Sequence, residues 1–156
     1  MRKTTVILII LLLFFSFPAV AAEDAWDVRC QDLQGKQECE MYQRLSFSDT
    51  GQRVAEVAFG YPSHMPKGRG VIVLPLGVLL TEGAKLRIDD GKPYKFNMRY
   101  CTGEGCFAFI GLNEKLVKQM KKGGEAHIVF KMMDGQEAEV SLSLIGFTKS
   151  YEQIKP

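Results

Sequence analysis

The chain has 156 residues, and its 20 Lys and Arg side chains are nearly balanced by 18 Asp and Glu side chains. Arg2 and Lys3 lie in the N-terminal segment 1–22, and the 134 residues that follow carry 18 basic and 18 acidic side chains. This balance excludes a protein-wide field that would attract nucleic acid or anionic lipid. The length of the segment 23–156 predicts a single domain that is large enough to bury a core.

Residues 1–22 have the three-part order of a secretory signal peptide. Met1–Lys3 is basic, Val6–Phe15 is an unbroken apolar run, and small residues close the segment. The apolar run is too short to cross a bilayer of about 30 Å comfortably, and no second candidate span follows it. We therefore expect cleavage after Ala21 or Ala22 and a soluble exported domain without an integral membrane span.

The rest of the chain alternates between apolar stretches and turns, which is typical of a β-protein. The clearest two-faced stretch is Tyr94–Tyr100, and Asp134-Gly135 is a strong hairpin turn signal. The segment Pro62–Gly70 predicts an irregular loop. The predicted strands, in chain order, are Trp26–Cys30, Cys39–Phe47, Arg53–Tyr61, Val71–Leu80 (two short buried segments with a bend at Pro75–Gly77), Ala84–Ile88, Tyr94–Tyr100, Cys106–Leu112, Glu125–Met133 and Gln136–Ile145.

One short helix is predicted at about residues 113–122. Asn113 can cap its N-terminus, and Gly123-Gly124 ends it. Its lysines, Lys118, Lys121 and Lys122, are interpreted as a solvated face. The tail 147–154 predicts at most one further helical turn. Many strands with one short α-helix predict a mainly β fold, either an antiparallel β-sandwich or a flattened barrel.

All four cysteines lie in the part that is expected to be exported, which indicates disulfides with three possible pairings. We predict two local bridges, Cys30–Cys39 and Cys101–Cys106. The glycines between Cys101 and Cys106 permit a tight reversal, which places opposed strand residues within reach of each other. Chain entropy alone favours a long-range pairing, at about 4.5 kcal/mol against about 2–3 kcal/mol for each short loop. The local pairing therefore depends on turn geometry.

A structural zinc site is the alternative use of four cysteines. Eight residues separate Cys30 from Cys39 and four separate Cys101 from Cys106, whereas zinc knuckles usually have two to four residues in both pairs. A thioredoxin-like dithiol would need a Cys-x-x-Cys spacing, which the chain lacks. No metal and no cofactor is predicted.

The search for catalytic residues yields little. His64 lies in the Pro/Gly loop and His127 begins a strand, and neither belongs to a His-Glu-x-x-His pattern. No Gly-x-Ser-x-Gly elbow surrounds a serine, and Ser141 and Ser143 alternate with apolar residues as an outward sheet face. No catalytic residue is predicted, and a secreted hydrolase is kept only as an alternative.

Two features of the sequence could form a binding surface. The first is the aromatic row of the stretch 94–100, to which Trp26 and Tyr61 could add, since aromatic rings stack on sugars or anchor a protein partner. The second is the polar face of the same stretch. The same patterns also occur in cores and in ordinary wet sheet faces. The candidate residues are Tyr94, Phe96, Tyr100, Lys95, Arg99 and His64.

Short motifs in a fixed order run through nearly the whole exported part. They are Trp26-x-Val28-x-Cys30, Cys39-x-Met41, Pro75-Leu76-Gly77-Val78, Phe96-x₄-Cys101-x₃-Gly105-Cys106, the helix from Asn113, and Ser143-Leu144-x-Gly146-Phe147. Together, these motifs resemble the invasion-associated locus B family of exported bacterial proteins.

The resemblance implies a periplasmic, outer-membrane-associated or secreted protein of a Gram-negative bacterium, linked in some pathogens to the invasion of host cells. It supplies no catalytic residues. We therefore expect a non-catalytic interaction protein whose partner is a protein or glycan at the bacterial or host surface. The alternative is a periplasmic housekeeping factor that binds a small ligand, a glycan or an unfolded partner.

Overall fold

A computed structural model describes residues 23–33, 35–46, 50–51 and 53–156. The expected signal segment 1–22 lies outside the described residues, as does Phe47 at the end of the second predicted strand.

The described part of the chain forms ten β-strands, two α-helices and one 3-10 turn. The strands are β1 (Asp27–Leu33), β2 (Lys36–Ser46), β3 (Arg53–Gly60), β4 (Arg69–Leu74), β5 (Ala84–Ile88), β6 (Tyr94–Phe96), β7 (Met98–Thr102), β8 (Gly105–Gly111), β9 (Glu125–Lys131) and β10 (Glu137–Ser143). The helices are α1 (Glu114–Lys122) and α2 (Phe147–Ile154), and the 3-10 turn is Leu80–Glu82. Neither α-helix has the length and apolarity that crossing a bilayer requires.

The strands form two separate antiparallel sheets. One has six strands in the order β1-β2-β3-β4-β8-β7, and the other has four in the order β10-β9-β5-β6. Of the two predicted architectures, the sandwich is therefore confirmed, and the described strands form no closed barrel. The inner faces of both sheets and both helices contribute to one continuous core.

Two-residue periodicity explains which side chains enter this core. On β9, Ala126, Ile128 and Phe130 are buried while the residues between them are not. The β9–β10 hairpin turns at Asp134-Gly135, as predicted, with Gly135 at a φ of 86°. The link has three residues, Met133 to Gly135, and not the predicted two, because the Met132 N–H donates to the Gln136 carbonyl and the Gly135 N–H donates to the Met132 carbonyl. Glycine suits the last position of such a link because the backbone enters the left-handed region there.

The predicted strand Tyr94–Tyr100 is wrong as a single element. Its first half is β6, at the edge of the four-stranded sheet, and its second half is β7, at the edge of the six-stranded sheet. The chain changes sheets at Asn97, and the register of β7 shifts between Met98 and Tyr100. Sandwich corners are commonly built from such a bend and bulge, and alternation alone does not reveal them because it reports the face of a residue, not its neighbour strand.

The predicted strand Val71–Leu80 is also only half right. Strand β4 ends at Leu74, and beyond Pro75 only Val78 pairs, through an isolated bridge to Met132. Leu76 is 55% exposed, so the second segment is not a buried strand. Proline lacks the N–H that a continued ladder would need.

The predicted helix is confirmed, and a second helix was underestimated. Asn113 caps α1, its side-chain oxygen accepting from the N–H of Leu116 at 2.9 Å. The tail forms the full helix α2, which buries Phe147, Tyr151 and Ile154. Those apolar positions recur at helical spacing, but a segment this short forms a stable helix only where it packs, so the sequence alone predicts a single turn.

Both predicted disulfides are confirmed. Cys30 lies opposite Cys39 in the β1–β2 register, and Cys101 lies opposite Cys106 in the β7–β8 register. No cysteine is free. The first bridge holds a hairpin whose β1 residues from Arg29 to Leu33 are all exposed, so that this hairpin gains little from core packing.

Candidate functional site

The outer face of the six-stranded sheet carries an exposed group of aromatic rings at its β7 edge. Tyr100 is 48% exposed, and its ring stacks on that of Phe107 with centroids 5.2 Å apart. The ring of Phe109 lies 6.2 Å from that of Tyr100. These rings share a face because Tyr100 lies opposite Phe107 and because Phe107 and Phe109 are two residues apart on β8.

A guanidinium group covers one end of this group of rings. The Arg69 guanidinium lies 4.0 Å from the centroid of the Phe109 ring, a cation–π arrangement worth about 0.5–1 kcal/mol at an exposed position. Its other contact is a weak hydrogen bond of 3.7 Å to the sulfur of Met65. The cation is therefore held in place without being neutralised by these contacts.

A hollow adjoins the same rings where β6 approaches β8. Its volume is about 250 Å³, and its lining includes Tyr94, Lys95, Phe96 and Phe109. The Tyr94 hydroxyl donates a hydrogen bond to the side-chain oxygen of Gln119 on α1, which fixes one wall. Phe109 thus belongs to both the hollow and the exposed rings. We call the three rings Tyr100, Phe107 and Phe109 the aromatic surface, whereas Tyr94 and Phe96 pack against the core beside the hollow.

The structure brings together four of the six predicted binding residues and leaves two outside this arrangement. Tyr94, Lys95 and Phe96 line the hollow, and Tyr100 joins them through Phe109. Arg99 is exposed on β7 but contributes none of these contacts.

His64 lies instead in the loop between β3 and β4. Its neighbour Ser63 donates a backbone hydrogen bond of 2.9 Å to the carboxylate of Glu38 on β2. Hydrogen bonds from Ser63 hold the pKa of Glu38 below its usual range, and the nearby His64 adds to this effect.

The two further aromatic candidates lie elsewhere. Trp26 is 3% exposed and packs in the core against Phe59 and Phe147. Tyr61 packs against Tyr151 of α2, with ring centroids 6.1 Å apart. Neither ring therefore extends the aromatic surface.

Sequence reasoning missed Phe107, Phe109 and Arg69. The signal for the two rings was present, because Phe107 and Phe109 alternate with the inward-facing Cys106 and Ala108. Arg69 could not have been found in this way, since its position over Phe109 depends on the pairing of β4 with β8.

The outer face of the four-stranded sheet carries a histidine, a serine and a carboxylate in contact. The Nδ1 atom of His127 lies 3.0 Å from Glu139 Oε1 and 3.0 Å from Ser141 Oγ. A catalytic triad needs the serine and the acid on opposite ring nitrogens, so that one nitrogen takes the serine proton while the other is oriented. Here both contact the same nitrogen, and Nε2 faces Glu125 at 3.7 Å. The arrangement does not activate Ser141 as a nucleophile.

No group of three or more His, Cys, Asp or Glu side chains in the described part of the chain is placed to hold a metal ion. His127 contacts Glu139 and Ser141, with Arg87 opposite it on β5, and His64 lies near Glu38. The candidate site consists of aromatic rings with the Arg69 cation beside them.

Comparison with known proteins gives three consistent matches. A family model described as invasion associated locus B (IalB) protein matches residues 26–155. Two proteins of Brucella abortus, from strain 2308 and from biovar 1 strain 9-941, are each named an invasion protein B homolog. Both are 31% identical to this chain over 136 residues, which covers 83% of this chain and 75% of theirs.

The fold is also found in a solved structure. The crystal structure of invasion associated protein B from Bartonella henselae matches with a TM-score of 0.76, covering 84% of this chain and 90% of that one. At 18% sequence identity this match supports the two-sheet fold alone.

Proposed function

Because this chain belongs to the invasion associated locus B family, we propose that it is an exported, non-catalytic protein that takes part in host-cell invasion by binding a partner. The observation that carries this proposal is the family match over residues 26–155, together with the naming of both Brucella relatives as invasion protein B homologs. The family is named for invasion and not for an enzymatic activity, and the contacts of His127 do not suit catalysis.

Two features support export to an oxidising compartment. Residues 1–22 have the composition of a cleavable signal peptide. All four cysteines form disulfides, which persist outside the reducing cytosol. The proposed location is the periplasm, the outer membrane or the medium.

The aromatic surface supports a role in binding. Tyr100 presents an exposed ring at a sheet edge, and the Arg69 cation lies beside the neighbouring rings. Aromatic rings and arginine are enriched where proteins contact partners, because they bury large areas while keeping polar atoms available. We propose a protein or glycan partner at the bacterial or host surface for this face.

Deletion of the gene tests the proposed function. We expect fewer intracellular bacteria in cultured host cells, restored by a copy of the gene on a plasmid, and disulfide-bonded protein lacking residues 1–22 in the periplasmic, outer-membrane or medium fraction. Unchanged invasion by the deletion strain would contradict the proposal, as would reduced, uncleaved protein in the cytosol. Normal invasion with envelope stress would instead indicate a housekeeping role.

The substitution Tyr100→Ser tests the aromatic surface. We expect invasion to fall about fivefold or more, because an exposed ring at the centre of a contact typically supplies at least 1 kcal/mol of binding. Ile145→Ser is the matched control, since Ile145 is 47% exposed and Tyr100 is 48% exposed. Both variants are complemented into the deletion strain and checked for equal abundance. Equal invasion by both variants would exclude the aromatic surface as the contact site.

A further inference from the structure

A second concave surface, which we call the groove, lies away from the aromatic surface, between α1, α2 and the chain just after β3. Its volume is about 560 Å³, in the usual range for small-molecule sites, and it is open to solvent. Tyr61, Leu112, Val117 and Tyr151 form an apolar floor. Leu112, Val117 and Tyr151 are each less than 10% exposed, so the floor is recessed behind its rim.

The rim of this groove is strongly basic. Its cations are Lys118, Lys121, Lys122 and Lys155. Three of them follow one another on α1 at positions i, i+3 and i+4, which places them on one side of the helix. Glu114 is the acidic residue among the lining side chains, and Glu152 binds Lys121. Within the described part of the chain, the other three lysines make no ion pair with a carboxylate. The four lysines of the rim therefore outnumber the carboxylates beside them, Glu114 and Glu152, although Asp89 and Asp90 line the adjoining hollow on the far side of Lys118 and Lys122.

Two phenols on the floor add a hydrogen-bond donor. The hydroxyls of Tyr61 and Tyr151 bond to each other, and the Lys121 amine lies 4.6 Å from the centroid of the Tyr151 ring. Burial, followed by the bond to Tyr151, raises the pKa of Tyr61 to about 12, so Tyr61 keeps its proton at neutral pH. One shared hydrogen bond uses one of the two hydroxyl protons, and the other is free to donate to an oxyanion.

We propose that this groove binds a single-chain anionic amphiphile, with its phosphate or carboxylate at Lys118, Lys122 and the paired Tyr61 and Tyr151 hydroxyls, and its alkyl chain on the floor. This inference goes beyond the proposed function and does not depend on it. Charge complementarity selects an anionic head, and the apolar floor selects an alkyl chain. A bilayer surface would need apolar side chains that protrude past the cations, whereas here the apolar side chains are recessed.

Calorimetric titration of the disulfide-bonded protein with dodecyl phosphate, below its micelle concentration, tests this inference. We expect saturable binding of one molecule. Inorganic phosphate lacks the chain and dodecyltrimethylammonium reverses the charge, so each should bind about tenfold more weakly or not at all. Octyl phosphate should bind with intermediate affinity, because each methylene removed forfeits contact with the floor.

The double substitution Lys118→Glu, Lys122→Glu should weaken dodecyl phosphate binding by about tenfold or more, since it reverses two of the cations at the head. The double substitution Tyr61→Phe, Tyr151→Phe should weaken it about threefold, because only the loss of both hydroxyls removes the donor. The matched control is Lys115→Glu, Lys92→Glu, which makes the same charge change at exposed positions outside the groove. Far-UV circular dichroism should show the same fold for each variant.

Three results would overturn the inference. They are no saturable binding of dodecyl phosphate, equal binding of inorganic phosphate, or equal weakening by the groove and control substitutions. Binding only to anionic phosphatidylglycerol vesicles would also overturn it and would indicate a bilayer surface as the occupant. None of these readouts involves invasion, so a failure here is distinct from a failure of the proposed function.

Discussion

Replacement of all four cysteines by alanine is expected to lower the free energy of unfolding by about 4–6 kcal/mol, because each short cross-link is worth about 2–3 kcal/mol. The bridges join residues nine and five positions apart, so each restricts the unfolded chain only locally. Small domains are commonly stable by only about 5–15 kcal/mol, and the four-alanine variant should therefore be marginally folded. Urea unfolding followed by far-UV circular dichroism measures the loss.

Removal of each bridge should lower protection from hydrogen exchange in a different part of the protein. Without Cys30–Cys39, the β1–β2 hairpin should lose protection from hydrogen exchange first, since its exposed outer residues have little core to hold them. Without Cys101–Cys106, the loss should spread into the core, because Cys106 is fully buried beside Ala108. The Cys106 thiol freed by Cys101→Ser should react with thiol reagents only on unfolding. A four-alanine variant within 1 kcal/mol of the natural protein would contradict this account.

The sequence was sufficient for features that depend on neighbouring residues. The disulfide pairs and the position of the β9–β10 turn each depend on a short stretch, where glycine placement and strand alternation determine the geometry. The cap of α1 depends likewise on Asn113 and the next three residues. These features were predicted and are confirmed.

Features that depend on which strand or helix lies alongside could not be predicted in the same way. Tyr94 and Tyr100 share a face in the pattern, but the change of sheet at Asn97 places them in different sheets. Phe109 lies near both, because it lines the hollow with Tyr94 and its ring is 6.2 Å from that of Tyr100. The lysines of α1 were interpreted as a solvated face. Their role as a rim appears only when Tyr61 meets Tyr151, a residue 90 positions away.

The geometry of the cluster around His127 also could not be predicted from the sequence. Glu139, Ser141 and His127 come together because β10 pairs with β9 in a particular register. That register also decides that both partners contact Nδ1, which argues against a serine nucleophile. The sequence contained the three residue types but not their geometry.

Trp26→Ala is the single substitution expected to cost most, at about 3–5 kcal/mol, because it removes a large buried side chain and leaves a cavity. The Trp26 ring is 3% exposed and packs against Phe59 and Phe147, with centroids 5.5 Å and 5.3 Å away. Trp26→Phe should cost about half as much. Leu33→Ala is the control, since Leu33 is a nearby apolar residue that is 45% exposed, and it should change stability by less than about 0.5 kcal/mol.

The reason for this large effect is that Trp26 joins both ends of the described chain. Its indole N–H donates to the carbonyl of Ser143 at 2.8 Å, and its own carbonyl accepts from the hydroxyl of Ser150 at 3.1 Å. In Trp26→Phe the Ser143 carbonyl keeps its bond from Gln43, so that variant mainly loses volume.

Because the chain has one tryptophan, unfolding of the Trp26 variants must be followed by circular dichroism. A loss below 1 kcal/mol in Trp26→Ala would show that α2 and the N-terminal segment are not held together through this ring. Hydrogen exchange provides the complementary observation. Amides of α2 should lose protection in Trp26→Ala and keep it in Leu33→Ala, since only the first substitution removes the ring on which Phe147 packs.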